Sequence, residues 1–211
     1  MDLKNKKFCF LGDSITFGVG TSCSEAMFPN LVGKETGASA VYNHGISGNR
    51  IARQSDGEDI GGCMADRFRD MEDDADVVVV FGGTNDYGHG DAPFGTPEDR
   101  TPDTFTGACH TLFAGLLEKY PDAVIVVMTP IHRMTEDEPS MGNGLPLSAY
   151  INTIRETAES YSIPVLDLYA GALIQPKLPV NRERFCPDGL HPNDAGNRRI
   201  ADRLLHFLQA Y

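Results

Sequence analysis

Three residues of the sequence have the types and spacing that nucleophilic catalysis needs. Ser14 follows an apolar run and the pair Gly12-Asp13, and Asp188 and His191 lie three residues apart near the other end of the chain. A serine hydroxyl becomes an effective nucleophile when a histidine takes its proton, and a carboxylate commonly fixes the tautomer of that histidine. In a tight turn, Asp188 can accept from one ring nitrogen of His191 while the other nitrogen faces Ser14.

Two further residues could stabilise negative charge that develops on an oxygen. Asn85 follows two glycines, and its side-chain NH₂ can donate to an oxyanion. Gly48 can donate through its backbone N–H with no Cβ in the way. Each residue type also has an ordinary explanation, because Ser and Asp cap helices and Asn and Gly are typical of turns. The combination favours catalysis more than any one residue does.

The elements that must position these residues alternate between strands and helices. Short apolar runs predict strands at Phe8–Leu11, Ala40–Asn43, Val77–Phe81, Ala123–Met128 and Pro164–Leu168. Helical periodicity predicts helices near 24–36, with Ser22 or Ser24 as N-cap and Gly37 as terminator, and at Met64–Met71, 104–119, 147–162 and Pro192–Gln209, the last with Pro192 in its first turn. This alternation predicts a parallel sheet with helices on both faces, whose sites lie at the carboxyl ends of the strands.

The sequence resembles the SGNH/GDSL hydrolases, the GDSL-like lipases and acylhydrolases, from residue 8 to about residue 198. The matching blocks are, in order, Gly12-Asp13-Ser14, Gly48, Gly83-Thr84-Asn85-Asp86 and Asp188-x-x-His191. The resemblance implies a three-layer α/β/α sandwich of flavodoxin type with a five-stranded parallel sheet. It also implies a Ser14 nucleophile, a His191 base oriented by Asp188, and an oxyanion hole built from the Ser14 N–H, the Gly48 N–H and the Asn85 side chain.

Composition limits the partners and the compartment. The chain has 211 residues, is 41% hydrophobic and carries a net charge of −12, which predicts a single domain over residues 1–211 and argues against nucleic acid or an anionic membrane as partner. Five cysteines without a CxxC pair predict neither a disulfide framework nor a zinc site. We expect a cytoplasmic enzyme that acts on a small-molecule ester and needs no cofactor or metal. Removal of a signal peptide and formation of a homo-oligomer stay open.

Two long connections, Tyr87–Pro102 and Ile131–Pro146, leave the ends of strands, and a rim or lid over the site and plain flexible loops are both open interpretations of them. They carry many charged and amide groups among scattered apolar residues, which favours a short acyl group on a polar alcohol, such as an O-acetylated sugar. If Phe94, Met134 and Met141 fold inward together, a long-acyl groove follows instead, as in a lysophospholipase or thioesterase. The further candidates for contact with substrate are Asp13, His44, His89, His132 and Arg133.

Two other classes of protein stay open at this point. A metal-dependent phosphoesterase would gather oxygen and imidazole ligands from Asp13, Asp86, Asp188, His44 and His191. That alternative gives Ser14 and Asn85 no role and predicts that a chelator removes activity. A non-catalytic binding module of flavodoxin type predicts no covalent labelling by a serine-directed organophosphate.

Overall fold

A computed structural model describes residues 2–55 and 61–210 of the chain. The strands are β1 (Lys7–Gly12), β2 (Ala40–Gly45), β3 (Val77–Phe81), β4 (Val124–Met128) and β5 (Val165–Leu166). The helices are α1 (Ser14–Phe17), α2 (Phe28–Thr36), α3 (Met64–Arg67), α4 (Thr84–His89), α5 (Phe105–Lys119), α6 (Leu147–Ser160), α7 (Leu168–Gly171), α8 (Pro179–Phe185) and α9 (Asp194–Gln209).

The five strands form one parallel sheet in the order β2-β1-β3-β4-β5. Gly12, the last residue of β1, is in register with Gly45 on one side and with Phe81 on the other, so the carboxyl ends of the three strands are aligned. The chain adds strands first to one side of β1 and then to the other. In open sheets of this flavodoxin-like order, sites lie at this switch between β1 and β3. The predicted α/β class and five-stranded parallel sheet are confirmed.

The sheet buries side chains on both faces because alternate residues of a strand point in opposite directions. Cys9 and Leu11 belong to a core that α5 and α6 cover, whereas Phe8 and Phe10 belong to the core beneath α2 and α9. The Cys9 thiol is fully buried, and burial is the main cause that raises its pKa to about 12. It is therefore a core residue. No helix within residues 2–55 and 61–210 is long and apolar enough to cross a bilayer.

Several element boundaries differ from those predicted. The helix expected near 24–36 begins at Phe28, after a separate 3₁₀ turn over Ser24–Ala26, and neither Ser22 nor Ser24 caps it. Its end at Gly37 is as predicted, with φ of 65°. The helix expected over Met64–Met71 ends at Arg67 and continues as a 3₁₀ turn over Phe68–Asp70.

Two further boundaries differ, at β5 and at the last helix. β5 has two residues rather than five, because it is an edge strand that pairs with β4 alone and Asp167 already caps α7 by accepting from Ala170 N. The last helix begins at Asp194, not at Pro192. Asn193 is its N-cap and accepts from Gly196 N at 3.1 Å.

Within residues 2–55 and 61–210, four short helices are not among those predicted, namely α1, α4, α7 and α8. α4 occupies the start of the expected loop Tyr87–Pro102. It begins directly after Gly83, whose φ of 102° is in the left-handed region. A helix of one or two turns has too few residues to show a clear period, so its sequence resembles that of a loop.

Candidate active site

Ser14 lies where β1 passes directly into α1. Asp13 is the N-cap of this helix, and its carboxylate accepts a hydrogen bond from Ile15 N at 2.9 Å. A Cβ at Gly12 would come within 2.8 Å of Phe81 O, so glycine permits this close turn against β3. Ser14 is 3% exposed. As the first residue of a helix, it has an N–H with no acceptor within the helix.

A chain of two hydrogen bonds joins Asp188 to Ser14 through His191. Asp188 Oδ2 is 2.7 Å from His191 Nδ1, and His191 Nε2 is 3.0 Å from Ser14 Oγ. The other oxygen of Asp188 accepts from the backbone N–H groups of Leu190 and His191, at 2.8 and 2.7 Å. Burial opposes the charge of Asp188, but these hydrogen bonds outweigh it and lower its pKa. An ionised carboxylate only accepts, so Nδ1 of His191 carries a proton, and in the neutral ring the lone pair of Nε2 faces the serine hydroxyl.

Contacts between two distant loops bring His191 to Ser14. Gly20, with φ of 96°, lies so close to the histidine loop that a Cβ would be 2.7 Å from Pro192 O. Ser22 donates to both oxygens of Asp194, from N at 2.7 Å and from Oγ at 2.6 Å. Buried Asn197 donates to Pro192 O at 2.8 Å. Sequence analysis did not predict these contacts; Gly20, shortly after α1, was the available signal.

Gly48 and Asn85 lie side by side at the same edge of the sheet. Gly48 has φ of 79°, in a turn that Asn49 N closes by donating to Ile46 O at 3.1 Å. The third position of such a turn favours glycine because φ is positive. Asn85 Nδ2 donates to Asn49 O at 3.0 Å, and Ile46 N donates to Gly12 O at 3.1 Å. The turn is thus fastened to Asn85 and to the end of β1.

Two buried carboxylates support these loops. Asp86 is 4% exposed and accepts from Ile51 N and Ala52 N, each at 2.9 Å. Burial raises the pKa of Asp86 to about 6 and that of Asp13 to about 7, although backbone hydrogen bonds partly oppose both shifts. Asp13 thus caps α1, and its contact with substrate stays a prediction.

Among the candidate histidines, His44 and His132 point to partners outside this group. His44 Nε2 is 2.6 Å from Glu72 Oε2, on the face of the sheet where Cys9 lies. His132 Nδ1 is 2.7 Å from Glu136 Oε2, and its ring stacks on Tyr169 with centroids 3.9 Å apart. In the described part of the chain, no hydrogen bond or ring contact given for either ring joins it to Ser14 or His191, and the contact of both histidines with substrate stays a prediction.

Arg133 and His89 border the candidate site. Arg133 donates to Thr84 O at 2.9 Å and lies over the Tyr87 ring, 5.2 Å from its centroid, so it packs the loop after β4 onto α4. His89 contacts Asn85 directly, with Nε2 3.1 Å from Oδ1. Of the five residues expected to contact substrate, His89 alone is bonded to a side chain of the site within the described residues.

The ligand set of the metal alternative is dispersed. Asp13 and Asp86 bind backbone N–H groups, Asp188 binds His191, and His44 binds Glu72. Over residues 2–55 and 61–210, the group with ligand atoms close enough for a metal ion is Cys9, His44 and Glu72. Within it, the Glu72 carboxylate already accepts from the other two side chains. The geometry gives no support to a metal site at Ser14.

Comparison with known proteins identifies the family. The family model described as GDSL-like lipase/acylhydrolase matches residues 10–199. The chain belongs to this family. Membership places it among hydrolases, and no curated protein matches the sequence.

Solved structures agree with this assignment. One crystal structure is 35% identical to the chain, covers 100% of it and 99% of its own length, and has a TM-score of 0.87. A protein from Lactobacillus plantarum is 32% identical over 99% of this chain and 98% of its own, with a TM-score of 0.86. An acetyl xylan esterase is 26% identical over 95% and 98%, with a TM-score of 0.64.

The raised pKa of Asp13 predicts how stability depends on pH. A carboxyl with a pKa of 3.8 in the unfolded chain and about 7 in the fold binds its proton more tightly when folded. The free energy of unfolding therefore falls as pH rises from about 4 to about 7. Asp13→Asn keeps an acceptor for Ile15 N–H but cannot ionise, so urea unfolding across this range should show a shallower decline than the wild type.

Asp122→Asn, at an exposed aspartate, is the matched control and should retain the wild-type slope. An equal decline in the Asp13→Asn protein would contradict a strained, buried charge at Asp13.

Proposed function

We propose that the protein is a serine carboxylic ester hydrolase that works through an acyl-enzyme. In this proposal Ser14 is the nucleophile, His191 the general base and Asp188 the residue that fixes the tautomer of His191. The observation that carries it is the chain of hydrogen bonds from Asp188 through His191 to Ser14 Oγ, at 2.7 and 3.0 Å. The family match supports the same assignment.

Acylation follows from this arrangement. Ser14 Oγ attacks the ester carbonyl carbon while His191 Nε2 takes the hydroxyl proton, and the carbonyl oxygen becomes negatively charged. Asp188 stabilises the imidazolium through Nδ1–H. When the tetrahedral intermediate collapses, the bond to the alcohol oxygen breaks and His191 returns the proton to that oxygen. The alcohol leaves, and the acyl group stays on Ser14.

Deacylation repeats these steps with water. His191 takes a proton from the water, the hydroxide attacks the acyl carbon, and the bond to Ser14 Oγ breaks as the proton returns to the serine. The products are a carboxylic acid and an unchanged enzyme. Both halves pass through an oxyanion.

The oxyanion donors of this mechanism are the Ser14 N–H, the Gly48 N–H and the Asn85 side chain. All belong to segments that follow β1, β2 and β3, whose carboxyl ends are aligned. Donors held by backbone turns need no rearrangement when charge develops, and such electrostatic preorganisation is commonly a large part of catalysis. The bond from Asn85 to Asn49 O, adjacent to Gly48, supports a shared role.

The substrate proposed is a short acyl ester of a polar alcohol, such as an O-acetylated sugar. The three residues that might have built a long-acyl groove have different surroundings. Phe94 packs against Tyr150 and Phe105, with ring centroids 5.1 and 5.7 Å away, and Met141 is 84% exposed. Met134 lies against Gly189. The resemblance to an acetyl xylan esterase supports the same substrate class.

Ser14→Ala tests the nucleophile. The variant should lose on the order of 10⁴-fold or more in kcat for p-nitrophenyl acetate, because the covalent route is closed and only weak stabilisation by the oxyanion donors remains. Circular dichroism should show the wild-type fold. Ser39→Ala, at an exposed serine directly before β2, is the control and should keep full activity. Activity above a tenth of the wild type in the Ser14 variant would rule out this nucleophile.

Acyl-chain preference tests the substrate class. Each methylene contributes about 0.8 kcal/mol to binding only where an apolar surface receives it. We expect kcat/KM to be highest for acetate or another short ester and to fall by octanoate in a p-nitrophenyl ester series. Acetylated sugars should then release acetate. A steady rise from acetate to octanoate would favour a lysophospholipase or thioesterase.

A further inference from the structure

The ring of His89 lies between a hydrogen-bond donor, the Arg50 guanidinium, and an acceptor, Asn85 Oδ1. A nitrogen of the Arg50 guanidinium is 2.6 Å from His89 Nδ1, and it also donates to His89 O at 3.1 Å. On the other side, His89 Nε2 is 3.1 Å from Asn85 Oδ1. His89 follows Asn85 by four residues in α4, and this spacing places two side chains on one face of a helix.

Arg50 determines which nitrogen of His89 carries the proton. A guanidinium has donors and no acceptor, so Nδ1 of the ring must accept. The one proton of the neutral ring is then on Nε2. Burial lowers the pKa of His89, and the positive charges of Arg50 and Arg133 lower it further. The ring is therefore neutral at neutral pH.

The proton on His89 Nε2 in turn determines how the Asn85 amide is oriented. An N–H needs an acceptor, so Oδ1 faces His89 and Nδ2 faces the opposite way. One hydrogen of Nδ2 goes to Asn49 O at 3.0 Å. Because the amide is planar, this contact also fixes the direction of the second hydrogen of Asn85 Nδ2. With the amide reversed, Oδ1 would face a developing oxyanion and repel it.

We propose that His89, fixed by Arg50, is a positioning residue that holds the Asn85 amide with Nδ2 towards the oxyanion. This inference rests on the proposed function, in which Asn85 is an oxyanion donor. His89 acts through Asn85 and does not itself contact the reacting atoms. It accounts for the pair of residues Asn85-x-x-x-His89 and for Arg50, which the mechanism otherwise leaves without a role.

Kinetics of His89→Leu, Asn85→Ala and the double variant test the proposal. Asn85→Ala should lower kcat for p-nitrophenyl acetate roughly 10²- to 10³-fold, with KM nearly unchanged. His89→Leu should lower kcat at least about tenfold but no more than Asn85→Ala does, again with KM nearly unchanged. In the Asn85→Ala background, His89→Leu should cost less than about threefold, because the partner it orients is gone. His89→Gln, which can donate from its own amide, should recover part of kcat.

His206→Leu, at an exposed histidine on α9, is the matched control and should keep wild-type kcat. A rise in KM with unchanged kcat in His89→Leu would make His89 a substrate contact and overturn the proposal. Equal losses in the wild-type and Asn85→Ala backgrounds would overturn it, as would full activity of Asn85→Ala itself.

Imidazole ¹⁵N NMR of the wild-type protein gives a readout that does not depend on activity. His89 should show a neutral ring protonated at Nε2 at pH 7.5, and a ring protonated at Nδ1, or at both nitrogens, would contradict the proposal. Failure of the proposed function and failure of this inference give different results. If the proposed function is wrong, the wild type neither cleaves esters nor reacts at Ser14. If only this inference is wrong, wild-type activity remains and the His89 results alone disagree.

Discussion

Ser14 and His191 are 177 residues apart in the chain, and the hydrogen bond of 3.0 Å between them depends on how the turn after α1 meets the start of α9. Gly20 allows backbone contact with Pro192 O, and Ser22 donates twice to Asp194. These contacts fix the histidine loop before any substrate is bound. A shift of about 1 Å in such a loop can cost on the order of 10²-fold in rate, so the proposed role of His191 depends on these contacts.

The parallel sheet supplies the other half of the arrangement. Because Gly12, Gly45 and Phe81 share one register position, the segments that follow three strands converge at one edge. Space there is limited: a Cβ at Gly45 would lie 2.2 Å from Phe17 N. The site therefore combines backbone turns that glycine permits with buried carboxylates that hold those turns. Burial disfavours the charged forms of Asp13 and Asp86 and raises their pKa values to about 7 and about 6.

The sequence allowed the sheet and the candidate site to be predicted because their signals are local. The run Val77–Phe81 indicates a strand buried on both faces, and Ser14, Asn85 and His191 follow glycine-containing turns. The boundaries of short helices and strands were harder to predict. Asp167 ends β5 by capping α7, and α4 is too short to show a period.

The hydrogen-bond partners of distant side chains could not be predicted from the sequence, for a different reason. His44 and His132 appeared equivalent to His89 in their positions near strand ends, yet Glu72 and Glu136 hold the first two elsewhere. The partner of a side chain depends on tertiary packing, which residue type and spacing do not specify. The same limit applies to Asn197 and to the bond between Arg50 and His89.

A crystal structure of the protein after reaction with a short-chain alkylphosphonate ester tests the central claim most directly, because the adduct mimics the tetrahedral intermediate. The account predicts a bond from Ser14 Oγ to phosphorus, with the phosphoryl oxygen within hydrogen-bond distance of Gly48 N, Ser14 N and Asn85 Nδ2. His191 should stay bonded to Asp188. An adduct on another residue, or a phosphoryl oxygen that points away from these donors, would contradict it.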